Sequence, residues 1–135
     1  MKKIGKTQVK VYDPIFHQRV VILVNYSVED YQAWEKSMGV ANPSGHNYNV
    51  GAFTTHLTAE GEPNTYIVYM PHFEWTIDEQ STLIHELIHV IVRIWEANNI
   101  QFVPPTQEFF AHSVDQLFGE IAHKLLSKSK KKKAT

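Results

Sequence analysis

Thirteen consecutive positions, Leu83 to Trp95, hold only four side chains that are not apolar: His85, Glu86, His89 and Arg93. A run apolar nearly all round predicts a buried helix. His85, His89 and Arg93 are spaced by four, with Glu86 beside them, so the polar groups form one stripe. Two imidazoles and a carboxylate buried without partners would cost about 1–3 kcal/mol per group. A metal ion would remove that cost. Imidazoles four apart on a helix can aim ring nitrogens at one cation, and the glutamate after the first can take a proton from a water there. His85-Glu86-Leu87-Ile88-His89 is an H-E-x-x-H pattern of this kind, and it predicts a zinc site with Glu86 as general base.

The frame around that helix is a single domain of 135 residues, long enough to bury a core. Hydrophobic content of 43% and charged content of 20% are those of a globular protein. A formal charge of -1 gives the domain no pull toward polyanions, and the absence of cysteine excludes disulfides and thiolate zinc sites. The opening Met1-Lys-Lys-Ile-Gly-Lys leads into a strand-like segment rather than an apolar leader, and no stretch approaches a membrane span. A cytoplasmic location without membrane contact is expected. The lysine-rich residues 128–135 predict a disordered basic tail, good for weak, salt-sensitive contact with nucleic acid at most.

Hydrophobic patterning predicts strands at Gln8–Tyr12 and His17–Tyr26, joined as a hairpin at Asp13-Pro14, and at Asn49–His56 and Thr65–Met70, joined through residues 60–64. Ser27 with Asp30 caps a helix to about Met38, stopped at Gly39. Thr76 and Glu79 make a capping box before the motif helix, expected from Ile77 to Ala97 and ended by Asn98-Asn99. Thr106 is the expected N-cap of a last helix running from Gln107 to about Ser127. Strands and helices in this order predict an α+β fold with a small, mostly antiparallel sheet packed on the motif helix.

A catalytic zinc needs a third protein ligand and an open position. Glu108 lies nineteen positions after His89, and His112 and Asp115 follow one and two turns later on the same face. By spacing all three remain open, and Glu108 leads. His112, Tyr48, Tyr69 and His72 are candidate donors to a developing oxyanion.

HELIH followed by Gln107-Glu108-Phe109-Phe110-Ala111 resembles the gluzincin group of zinc metallopeptidases, including minimal cytoplasmic and phage-encoded members. Val50-Gly51-Ala52-Phe53 is similar to the substrate-aligning edge strand of thermolysin-like enzymes, so the resemblance spans roughly residues 49 to 120. It implies a zincin-like domain over residues 1–127, with Zn2+ held by His85, His89 and Glu108 on a following glutamate helix. It further implies that Glu86 is the base, His112 a transition-state stabiliser and Asp115 an orienter of a ligand histidine. The substrate would be a peptide or protein lying along the edge strand near Val50–His56. Two other classes stand beside this protease: a non-catalytic module with a structural zinc, and a nucleic-acid-associated metal-dependent factor using the lysine tail.

Overall fold

The computed structural model describes residues 4–39, 51–57 and 64–134, with side chains to Ser127. It is an α+β domain with a four-stranded mixed sheet and three helices. The elements follow in the expected order: β1 (Thr7–Tyr12), β2 (Arg19–Val24), α1 (Val28–Ser37), β3 (Phe53–Leu57), β4 (Thr65–Met70), α2 (Ile77–Ala97) and α3 (Pro104–Ala134). The sheet order is β1-β2-β4-β3. β1 pairs antiparallel with β2 and β3 antiparallel with β4, whereas β2 and β4 run parallel, with Val20 opposite Tyr66 and Val24 opposite Met70. Two of the three pairings are antiparallel, and β3 is an edge. Residues 49–50 of the expected third strand and most of the turn at 60–64 lie outside the described residues.

Alternation along the strands sorts side chains onto two faces. Val9, Val11, Val20, Ile22, Val24, Tyr66, Val68 and Met70 face α2 and α3, where they meet Leu83, Leu87, Val90, Ile91, Ile94, Leu117 and Ile121. Val21, Leu23, Ile67 and Tyr69 face α1, packing with Tyr31, Trp34 and Met38. α1 has its capping box, with Ser27 Oγ accepting from Asp30 N and Asp30 reaching back to Ser27 N, and ends at Gly39, whose φ of 96° suits glycine.

Asn25 places α2. Sitting at φ 60° after β2, it donates from Nδ2 to the carbonyls of Ile4 (2.7 Å) and Phe73 (3.0 Å) and accepts from Phe73 N (2.7 Å). The segment entering α2 is thereby tied to the end of the sheet. Thr76 Oγ1 then accepts from Glu79 N at 3.3 Å, which is the Thr76 half of the expected capping box, and Asn98 closes α2.

α3 starts earlier than expected. Pro104 and Pro105 occupy its first positions, where a missing N–H costs nothing and a fixed φ already suits a helix. Thr106 is consequently inside the helix rather than at its N-cap: its hydroxyl accepts from Val103 N at 3.1 Å and can donate to Gln101 O at 2.7 Å. The helical backbone continues through the lysine run to Ala134, past the boundary expected at residue 127.

Candidate functional site

Sequence periodicity alone predicted that α2 is buried all round, and the structure corrects this. Leu83, Leu87, Val90, Ile91, Ile94 and Trp95 are buried, but His85 and His89 are exposed, and Ile84 and Ile88 are 37% and 39% exposed. The sheet covers one side of α2 and α3 lies along a second, and among the described residues no element packs over the His85–His89 side. Burial therefore imposes no cost on the imidazoles that a metal must relieve.

Their geometry is more informative. The rings stand edge to face with centroids 4.7 Å apart, and the two Nε2 atoms are 3.2 Å apart. Two ligand nitrogens at about 2.05 Å from one tetrahedral zinc lie about 3.3 Å apart. The observed spacing is close to that value, and without an ion the same spacing is an N–H···N hydrogen bond. By spacing, the two imidazoles suit two of the positions around such an ion.

Glu86 lies on the border between the open and the covered sides, 7% exposed. Its Oε2 accepts a hydrogen bond of 2.7 Å from Thr54 Oγ1 on the edge strand β3. Thr54 was not among the residues read from the sequence. Strand pairing decides its place: opposite Val68 in the register, Thr54 sends its side chain toward α2. His56, two residues on, faces the same way and stacks on Tyr66 with ring centroids 4.5 Å apart. Partial burial there, helped by the charge of Arg93, holds the His56 imidazole below the ordinary histidine range.

α3 returns antiparallel to α2. Phe102 and Phe110, at its entry, pack on Trp95 with centroids 5.2 and 5.6 Å away, while Phe118 stacks on Trp75 at 6.0 Å. Glu108 precedes Phe110, so it lies level with Trp95, which is six residues beyond His89, or roughly 9 Å of helical rise. Glu108, His112 and Asp115 are all exposed, on the side of α3 away from buried Ser113, Leu117 and Ile121. Among the described residues no group of three or more His, Asp or Glu side chains is gathered to hold a metal. The structure thus pairs His85 with His89, ties the neighbouring Glu86 to the edge strand, and does not bring Glu108 or His112 to the imidazoles. Asp115 comes nearest in level: with Ile84, Ile88, Ala111, Val114 and Phe118 it lines a groove of about 380 Å³ between the helices.

Of the oxyanion candidates, Tyr69 is excluded by strand parity. It faces α1, and its hydroxyl donates to Tyr26 O at 2.7 Å. His72 lines a groove of about 370 Å³ with Gly51, Asp78, Glu79 and Thr82, at the start of α2 and one turn before Glu86. Tyr48 lies outside the described residues. No helix among the described residues is long and apolar enough to cross a membrane.

No protein-family model, curated protein or solved structure matches this chain.

Proposed function

We propose that the domain is a zinc-dependent metallopeptidase of zincin-like, gluzincin type. The observation that carries this is the pair of Nε2 atoms 3.2 Å apart, with the carboxylate of the residue after His85 held by the edge strand. His85 and His89 would hold the metal, with a carboxylate from α3 as third ligand. The resemblance assigns that role to Glu108, and the level at which α3 passes the pair favours Asp115. Either assignment requires α3 to turn an exposed side chain toward α2, and the zinc affinities of Glu108→Ala and Asp115→Ala separate them.

A zinc ion there would supply an acidified water and polarise the scissile carbonyl. Glu86 takes the proton of the attacking water as its oxygen bonds to the carbonyl carbon. As the C–N bond breaks, Glu86 returns that proton to the amine, so an acid and an amine leave and the carboxylate is restored. The peptide is proposed to pair with the open edge of β3, whose residues Thr54 and His56 border α2.

A second reading draws on the same contact. In a non-catalytic binding module Glu86 would serve only to tether α2 to β3. Glu86→Gln distinguishes the two. With zinc content unchanged, hydrolysis of an unfolded protein should fall by about 10²–10⁴-fold. Undiminished hydrolysis, or a wild-type chain that takes up no zinc, would overturn the protease.

A further inference from the structure

We infer that Thr54 is a positioning residue for Glu86, holding one carboxylate oxygen so that the other faces the substrate side. The inference rests on the reading of Glu86 as the base. A glutamate side chain has three rotatable torsions, and burial at 7% exposure confines Glu86 without giving its carboxylate the direction that a hydrogen bond imposes. Thr54 removes that freedom. Its 2.7 Å bond engages Oε2 and leaves Oε1 without a protein donor among the described residues. The hydroxyl has one proton; its 3.3 Å approach to the Glu86 carbonyl is a weak second branch that points the same way.

Threonine suits this task because its β-branched side chain is stiff at χ1, and because β3 is held in register by β4. The same strand offers its open edge to a pairing peptide. Substrate docking and base orientation therefore share one short segment, Phe53–Leu57, and a peptide that straightens this strand also sets Glu86.

The experiment compares full-length wild type, Thr54→Val and Thr54→Ser, each loaded with zinc. Thr54→Val should keep the zinc and KM within about twofold while kcat falls about tenfold or more, and Thr54→Ser should recover most of it. A second measurement needs no activity. In metal-free protein, the NMR scalar couplings of the Glu86 side chain should report one rotamer in wild type and Thr54→Ser, and averaging in Thr54→Val. If Thr54→Val does not fold, Thr54→Ala takes its place. Unchanged rotamer and unchanged kcat overturn the inference. Averaged rotamers in a protein whose wild type hydrolyses nothing would support the positioning role and overturn the base.

Discussion

The two sides of α2 differ in kind. On one, Leu83, Leu87, Val90, Ile91, Ile94 and Trp95 are at most 1% exposed and pack against the sheet and α3. On the other stand His85, His89 and Arg93, exposed, with the half-open isoleucines 84 and 88 beside them. Glu86 is the seam between them. The comparison teaches that the helix is placed by one side and offers its chemistry on the other, so the imidazoles carry little of the folding free energy. Hydrophobic burial is proportional to area removed from water, and only the first side removes much.

That division can be broken by experiment. The largest effect expected is on the packed side: Leu87→Ala should cost about 2–5 kcal/mol in urea unfolding, the range for a truncated core leucine. Zinc should act from the open side alone. At a hundredfold excess over its dissociation constant it should add about 2.7 kcal/mol to wild-type stability, read as a rise in Tm, and nothing to His85→Ala. Without metal, His85→Ala should lie within about 0.5 kcal/mol of wild type. A metal-free His85→Ala as unstable as Leu87→Ala would show that the two sides are not separable.

The smallest effect concerns pH. The folded state holds the His56 pKa below its ordinary 6.5, first through burial and then through Arg93. Unfolding therefore takes up a proton as pH falls below 6.5, and stability drops until the folded-state pKa is passed. Denaturation midpoints of His56→Gln should fall less steeply with acid than those of wild type. An identical slope would show that burial and Arg93 do not shift His56 in the folded state.

Much of the fold was legible because its signals are local. The caps at Ser27 and Thr76 satisfy backbone donors within three residues, and the β-branched and aromatic run at residues 65–70 reads as a strand without its partner. His85 and His89 meet because helical pitch puts residues four apart together. Thr106 was misread because Pro104-Pro105 compete for the same helix start and win with a preset φ.

The sequence by itself determined the elements, their order and the H-E-x-x-H stripe, since each depends on chemistry within a turn of helix or a few strand residues. Tertiary structure decided that β2 and β4 run parallel, that β3 is the edge carrying Thr54 to Glu86, and that α3 leaves Glu108 and His112 exposed and Asp115 at the rim of its groove with α2. Pairing order and helix rotation follow from where the largest apolar area can be buried at once. That is a property of the whole packed chain, invisible to any one segment of it.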